Sequence, residues 1–244
     1  MTYALFLVAD LDVTAGDPLT LTGKEAHHAG VVKRVEPRER IFISDGRGAR
    51  VVAEVISVSK NAVETRVVDV METENPHPRF TLIQGLPKRE RHDLTVELAT
   101  ELGFHRIIAW QADRSVTRWV GEKIGKSVDK WQMTAREATK QSRRAIIPQV
   151  EFATTDQLDR FLDQGVIVAD EMASESIAQV GFDDVGDQIA IVIGPEGGFS
   201  ERERELFAKK ACRSVLISDA ILRTSTAGGV ALALVKQRLA GLAK

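Results

Sequence analysis

The strongest constraint on the fold is a change of hydrophobic pattern along the chain. From residue 80 onward, short apolar runs rich in Val and Ile alternate with segments of helical periodicity. The apolar runs read FTLIQGL, RIIAWQA, GVIVAD, IAIVIG and SVLIS. Nearly continuous apolar strands separated by helices are typical of a parallel sheet that is covered on both faces. The pattern predicts an α/β domain, with one long helix from about Glu122 to Ser142 and another from Ser200 to about Ala211.

The first 70 residues follow a different pattern. Three runs rich in Val and Ile lie between residues 40 and 70, and turn-forming residues separate them at Asp45–Gly48 and at Lys60–Asn61. This arrangement predicts a small β-barrel. Pro76 and Pro78 follow in a charged stretch and disfavour a helix there. We therefore expect two domains, a barrel over residues 1–73 and an α/β domain over 79–244.

A glycine-rich loop follows one of the predicted parallel strands. The sequence IVIGPEGGFSERE contains Gly194, Pro195, Glu196, Gly197 and Gly198 between the strand and a helix. Ser200, with Glu203 three residues later, predicts a capping box at the start of that helix. Loops at the carboxyl ends of parallel strands are where α/β sheets bind ligands. The loop lacks the lysine and hydroxyl of a phosphate-binding P-loop, and an ordinary tight turn remains the alternative.

A second polar loop follows the next predicted strand. In SDAILRTSTAGG, one cation and three hydroxyls lie between that strand and the last helix, whose first turn contains Gly228 and Gly229. Each glycine in a helix costs roughly 1 kcal/mol relative to alanine, so a close approach by backbone or ligand is a natural reason for it. Both loops should meet at one edge of the sheet and form a ligand pocket. The alternative is that Arg223 forms a salt bridge and the hydroxyls cap the helix.

Positive charge is concentrated in the middle of the chain. The net charge is -2, but residues 76–150 carry +6 whereas the flanking segments are acidic. A local basic surface is what binds a nucleic acid backbone. On the helix DKWQMTAREATKQSRRA the cations share one face, and others lie nearby or in the first domain. The candidate RNA contacts are Lys33, Arg34, Lys88, Arg136, Lys140, Arg143 and Arg144. A merely solvated basic face is the alternative.

Several sequence features that are absent narrow the range of possible functions further. Cys212 is the single cysteine, and the five histidines show no metal-ligand spacing, so we expect neither a disulfide nor a metal site. No stretch approaches the roughly 20 apolar residues of a membrane-spanning helix, and we expect a cytoplasmic protein. The last helix carries no charge from Thr226 to Val235. Such a helix is covered on more than one side, either by a second subunit or by the core of its own chain.

The two loop motifs together resemble those of the SPOUT superfamily of S-adenosylmethionine-dependent RNA methyltransferases. The resemblance also includes QGLPKRERHDLTVELATELGFHRIIAWQADRS, KWQMTAREATKQSRRAIIPQV and HHAGVVKRVEPRERIFISDGRG, and so covers nearly the whole chain. Within the superfamily, the chain is most similar to the enzymes that methylate N3 of a uridine near the 3′ end of 16S rRNA. The resemblance implies a PUA-like RNA-binding barrel, a C-terminal domain with a trefoil knot, a homodimer, and 16S rRNA or the small ribosomal subunit as the partner.

When the family's motif positions are matched to this sequence residue by residue, the resemblance also implies a cofactor site. The positions for S-adenosylmethionine are Gly194, Pro195, Glu196, Gly197, Gly198, Ile217, Leu222, Arg223, Thr224, Thr226 and Ala227. The loop around Asp170 and Glu171 is expected to close a third side. One departure concerns Ser225, which stands where the family pattern L-R-T-E-T-A has a glutamate.

The expected chemistry is methyl transfer to uridine N3. The base must be unpaired or flipped out and must lose its N3 proton. Arg223 is the first candidate for stabilising the resulting uracil anion, and Arg143 and Arg144 are further candidates. The residues indicate no general base. Three other functions remain open: a related methyltransferase acting on another rRNA or tRNA nucleotide, a non-catalytic RNA-binding factor, and a nucleotide-binding enzyme.

Overall fold

The computed structural model describes residues 3–163, 165–182 and 186–242. It divides into two compact units. The first contains residues 1–75 and 136–147, and the second contains 76–135 and 148–244. The division near residue 75 lies between the predicted domains, but residues 136–147 had been assigned to the second domain by sequence.

The first unit is built on a five-stranded sheet. Its strands are β1 (Leu5–Leu7), β2 (Pro18–Thr22), β3 (Arg40–Ser44), β4 (Arg50–Val58) and β5 (Ala62–Val70). The order across the sheet is β1-β3-β4-β5-β2, and β1 pairs parallel with β3 whereas the other pairs are antiparallel. Alternate residues of β4 and β5 are buried, as expected for strands with one face on a core. That core includes Phe6, Leu21, Ile41 and Ile43.

The second unit contains a six-stranded sheet in which every neighbouring pair is parallel. Its strands are β6 (Arg79–Gly85), β7 (Arg106–Gln111), β8 (Gln149–Thr154), β9 (Val166–Ala169), β10 (Gln188–Ile193) and β11 (Arg213–Val215). They lie in the order β11-β9-β10-β6-β7-β8. The predicted α/β sheet is thereby confirmed, and β8 is an additional strand that the sequence pattern did not indicate. The two strands in the middle of the sheet, β10 and β6, are almost wholly buried.

Five α-helices connect these strands in the described parts of the chain. They are α1 (Gly23–His27), α2 (His92–Leu102), α3 (Lys123–Ser142), α4 (Glu201–Lys209) and α5 (Thr224–Leu242). A π-helix, His28–Lys33, follows α1. The predicted long helix and the helix after Ser200 are confirmed within two residues at each end. No helix in the described ranges is long and apolar enough to cross a membrane.

Residues 136–147 belong to the first unit because their polar groups bond there. Glu25 Oε1 lies 3.3 Å from Arg136 Nη2 and 3.4 Å from Lys140 Nζ. The Arg143 carbonyl accepts a hydrogen bond of 2.8 Å from Arg50. The side chain of Lys140 is only 7% exposed, so its pairing offsets the cost of removing an ammonium group from water. The sequence prediction treated this segment as part of the α/β domain because its partners are more than 90 residues away.

Candidate functional site

The second unit has a cleft of about 600 Å³ at the carboxyl edge of its sheet. Its walls are the segments that follow β9, β10 and β11, together with residues 88, 90 and 91 before α2. This is the edge at which parallel α/β sheets bind ligands, and the volume is in the range of small-molecule sites, about 300–1,000 Å³. Asp170 and Glu171 line it, as the sequence prediction expected of the third loop.

Most of the predicted cofactor positions line this cleft. The structure brings together Gly194, Pro195, Glu196, Gly198, Ile217, Leu222, Arg223, Thr224 and Ala227. Gly197 and Thr226 belong to the same two loops but are outside the lining. Lys88, for which the sequence predicts an RNA contact, also lines the cleft. Two loops that are separate in sequence therefore line one cleft.

The backbone at the end of β6 packs closely against the backbone of the first motif loop, residues 194–198. A Cβ atom placed on Gly85 would lie 2.5 Å from the Pro195 nitrogen, a distance that real Cβ atoms do not adopt. At the other end of the loop, Gly198 has φ of 66° and open space beside it. A left-handed residue of this kind favours glycine. Close packing thus requires a glycine at the end of β6, and the backbone conformation of the first loop favours another at Gly198.

Hydrogen bonds join the two loops to the centre of the sheet. The Thr224 hydroxyl donates to the Gly194 carbonyl at 2.6 Å and accepts from Gln84 Nε2 at 2.9 Å. Gln84 is fully buried at the end of β6, and the sequence prediction missed it. The available signal was a single amide in the apolar run FTLIQGL. Thr224 therefore bonds to the first loop, and the alternative in which it only caps its own helix is wrong.

The predicted capping box holds the far side of the first loop. Ser200 Oγ accepts from the Glu203 backbone at 3.2 Å, and the Ser200 backbone donates to Glu203 Oε2 at 2.8 Å. Glu203 is fully buried, and its Oε1 also accepts from Thr155 at 3.0 Å and from the Asp113 backbone at 2.7 Å. A hydrogen bond from Arg202 is the main reason that the pKa of Asp113 is lowered. This network fixes the start of α4 to the residues that follow β7.

A buried hydroxyl points to a ligand in the cleft. Ser225 is 3% exposed and lines the cleft, and its Oγ has no hydrogen-bond partner in the described structure. Buried polar groups are nearly always hydrogen-bonded, so this hydroxyl is available to bond a ligand that enters the cleft. This residue stands at the position where the family pattern has glutamate.

Charges of both signs surround the cleft. Asp170 is buried and pairs with Arg204, whose guanidinium lies 5.6 Å from the centre of the Phe199 ring. Glu196 is exposed and accepts from the Lys88 backbone at 3.0 Å. Arg223 is exposed and forms no ion pair with any described residue. The alternative in which Arg223 forms a salt bridge is therefore wrong. An exposed cation at the rim remains available to a ligand.

Three of the predicted RNA contacts are exposed. Lys33 and Arg34 lie at the end of the π-helix of the first unit, and Lys88 is at the rim of the cleft in the second unit. Arg34 has φ of 53°, a left-handed conformation that costs energy in a residue other than glycine.

The other four predicted contacts have partners or are partly buried. Arg136 and Lys140 both pair with Glu25, and Lys140 also pairs with Glu137 at 3.3 Å. Arg143 and Arg144 are half-buried, and burial lowers the pKa of Arg144. The sequence indicated an open basic helix face, whereas the structure uses two of its charges within the first unit.

No group of three or more His, Cys, Asp or Glu side chains suited to a metal ion occurs among the residues that the structure describes. Cys212 is a free, half-buried thiol. Burial raises its pKa to about 11, so the thiol is protonated and unreactive near neutral pH.

Comparison with known proteins identifies relatives for both units. Residues 73–236 match the family described as RNA methyltransferase domain, and residues 21–68 match the RNA methyltransferase PUA domain. A ribosomal RNA small subunit methyltransferase E from Mycobacterium bovis is 34% identical over 242 residues, which cover 96% of this chain and 92% of the relative. The likeness therefore extends through both units.

Solved structures give the same result. The ribosomal RNA small subunit methyltransferase E of Neisseria gonorrhoeae, bound to S-adenosyl methionine, is 25% identical with a TM-score of 0.83 over 97% of this chain and 98% of that one. A methyltransferase of Legionella pneumophila in complex with the same cofactor is 25% identical with a TM-score of 0.85 and the same coverage. The N-terminal unit is thus PUA-like, and the C-terminal unit has the fold of these methyltransferases.

Proposed function

The chain belongs to the ribosomal RNA small subunit methyltransferase E family, and we propose that it methylates N3 of a uridine in 16S rRNA with S-adenosylmethionine as the methyl donor. The proposed target is the uridine numbered 1498 in conventional rRNA numbering. The observation that carries the proposal is the cleft at the carboxyl edge of the sheet, because the two motif loops and the exposed cation of Arg223 meet there.

The residues of the cleft fit this cofactor. The Ser225 hydroxyl, which has no partner among the described residues, can bond a bound ligand, and Gly198 leaves room beside the first loop. Glu196 and Glu171 supply negative charge that suits a cationic ligand better than a phosphate. We propose that the backbone of Gly194 to Gly198 and of Leu222 to Ala227 holds the cofactor. When bound, it supplies a methyl group on a positively charged sulfur.

The chain must also prepare the acceptor base. Uridine N3 is inside the base pair in a duplex, so the target has to be unpaired or extruded to reach the cleft. Loss of the N3 proton to solvent leaves negative charge on the uracil ring, and the exposed guanidinium of Arg223 at the rim would stabilise that charge. Holding acceptor and donor in one cleft contributes further acceleration through orientation.

The proposal includes a trefoil knot in the second unit and a homodimer. One side of the last helix is covered by its own chain, through Ala231, Leu232 and Val235. On the other side of the helix, Val230 is half-buried and Ala233, one turn later, is exposed. A second subunit would cover this small apolar face.

The experiment that tests the proposal separates it from its alternatives. Calorimetry should show binding of S-adenosylmethionine and none of ATP, and the purified chain should transfer labelled methyl groups to small ribosomal subunits or 16S rRNA. Nucleoside analysis should find the label in N3-methyluridine. ATP binding would favour a nucleotide-binding enzyme, and RNA binding without cofactor binding would favour a non-catalytic factor. Labelling of tRNA or of another nucleotide would favour a related methyltransferase.

Replacing Ser225 with alanine should weaken cofactor binding without destabilising the fold. The hydroxyl has no partner in the described protein, so its removal leaves no protein group unpaired. A lost hydrogen bond to the cofactor is worth about 0.5–1.5 kcal/mol, or about a 2- to 12-fold higher Kd. Calorimetry with S-adenosylmethionine measures this change.

The matched control is Ser115→Ala. Ser115 is also buried, and its Oγ also has no partner among the described residues, but it is outside the cleft. Its substitution should leave the cofactor Kd unchanged. Equal effects of the two substitutions would contradict the role given to Ser225.

A further inference from the structure

Residues 114–120, which we call the arginine–valine loop, connect β7 to the segment before α3 and alternate between two environments. Arg114, Val116, Arg118 and Val120 are exposed, and the two valines are 72% and 67% exposed. The residues between them face the protein: Ser115 and Trp119 are buried and Thr117 is half-buried. One edge of the loop therefore presents a cation, an apolar group, a cation and an apolar group in turn.

The backbone of this loop is held in place by contacts of the inward-facing residues. The Trp119 ring stacks on Phe152 with ring centres 5.8 Å apart, and its backbone nitrogen donates to Gln111 Oε1 at 2.7 Å. The Thr117 hydroxyl donates to the Pro87 carbonyl at 2.7 Å. The outward row is thus presented by a well-anchored backbone, and two large apolar side chains stay in water although their neighbours are packed.

The two arginines of the loop have no acidic partner within the described ranges. Arg114 Nη1 donates to the Gly197 carbonyl at 3.3 Å, and Arg118 Nη2 donates to the Asp113 carbonyl at 2.7 Å. The carboxylate of Asp113 instead bonds Ser200 and Arg202. Two full positive charges of the loop are consequently left for an external anion.

The loop lies directly beside the cleft. A Cβ atom on Gly197, in the first motif loop, would come within 2.9 Å of Arg114 Cβ. On the other side, Thr117 bonds Pro87, the residue next to Lys88 of the cleft rim. An RNA strand whose target base enters the cleft would therefore contact this loop with the nucleotides next to the target.

We propose that the arginine–valine loop binds the rRNA strand next to the target nucleotide. This inference rests on the proposed function. The guanidiniums of Arg114 and Arg118 bind backbone phosphates, and Val116 and Val120 contact bases or riboses that have left the stack. Single-stranded RNA is recognised by such combinations of cations and flat or apolar surfaces. Two cations without acids on the same edge favour a polyanion over a second copy of this chain.

The double variant Arg114→Ala/Arg118→Ala tests the charge. We measure binding of a 16S rRNA fragment containing the target at several salt concentrations, and binding of S-adenosylmethionine by calorimetry. RNA affinity should fall at least about 10-fold near 0.1 M salt, and the slope of log K against log salt should decrease by about 1.4–1.8, the value for two phosphate contacts. The cofactor Kd should stay within about twofold of the wild type in the single variant Arg118→Ala, because Arg118 bonds Asp113, and neither residue lines the cleft.

Three further variants separate charge from packing. Arg114→Lys/Arg118→Lys should keep the salt slope, whereas Val116→Ser/Val120→Ser should lower RNA affinity at every salt concentration without changing the slope. Lys209→Ala removes an exposed cation from α4 and should change neither quantity.

Three results would overturn the inference. Wild-type RNA binding with an unchanged salt slope in the double arginine variant would remove the loop from the RNA site and leave the proposed function intact. A valine variant that changes only the oligomeric state in sedimentation would instead make the loop a subunit interface. If the wild-type chain binds neither RNA nor cofactor, the proposed function fails, and this inference fails with it.

Discussion

Replacing Arg223 with alanine should lower kcat for methyl transfer by about 100- to 1,000-fold, the effect of removing one group that stabilises developing charge. Arg223 is exposed at the rim of the cleft and forms no ion pair with the described residues, so its charge is available to the substrate. The Kd for S-adenosylmethionine should change less than about threefold, because the cofactor contacts assigned to this loop are mainly backbone groups. Single-turnover kinetics and calorimetry measure the two quantities separately.

Two variants give this prediction its controls. Arg223→Lys keeps the positive charge and should recover part of the lost rate, although a lysine cannot reproduce the planar guanidinium. Arg160→Ala removes an exposed arginine that lies over the Phe161 ring, outside the cleft lining, and should leave the rate unchanged. An unchanged rate in Arg223→Ala would exclude Arg223 from the reaction. A parallel loss of cofactor affinity would make it a cofactor ligand.

Replacing Gly85 with alanine should disrupt the cofactor site itself. The new methyl group would lie 2.5 Å from the Pro195 nitrogen and 2.8 Å from the Gly194 carbonyl carbon, and backbone atoms cannot move aside as a flexible side chain can. Overpacking of this kind costs about 1–3 kcal/mol, and a displacement of about 1 Å in a site can reduce turnover about 100-fold. We expect loss of measurable cofactor binding by calorimetry and a lower Tm by circular dichroism.

The matched control for Gly85 is Gly125→Ala. Gly125 is in α3 with nothing within 4 Å of an added Cβ, and its φ is not left-handed. Alanine should stabilise the helix by up to about 1 kcal/mol and leave cofactor binding unchanged. Normal cofactor affinity in Gly85→Ala would mean that the first loop shifts without consequence for the site.

The sheet could be predicted from sequence because most of its strands are buried on both faces. Strands β6, β7, β9 and β10 read as nearly continuous apolar runs, and helix periodicity separates them. Strand β8 was missed because it lies at an edge of the sheet and reads QVEFAT, in which the polar residues Gln149 and Glu151 interrupt the apolar run. An edge strand of this kind does not differ locally from a polar loop.

The site could be predicted from the sequence only where the residues that mark it are close together along the chain. Glycines, a capping box and a run of hydroxyls mark the two loops along the sequence, and the fold brings those loops together. The contact of Gln84 with Thr224 joins residues 140 positions apart, and that of Arg136 with Glu25 joins residues 111 apart. No periodicity encodes such pairs. The basic helix face therefore appeared open in the sequence although Glu25 neutralises part of it.

The most direct test is to map N3-methyluridine in 16S rRNA from cells with and without this gene. Primer extension and nucleoside mass spectrometry should find the modification at the uridine numbered 1498 in the parent strain and not in the deletion strain. The wild-type gene should restore it, and the Arg223→Ala gene should not. Persistence of the modification in the deletion strain would contradict the proposed function.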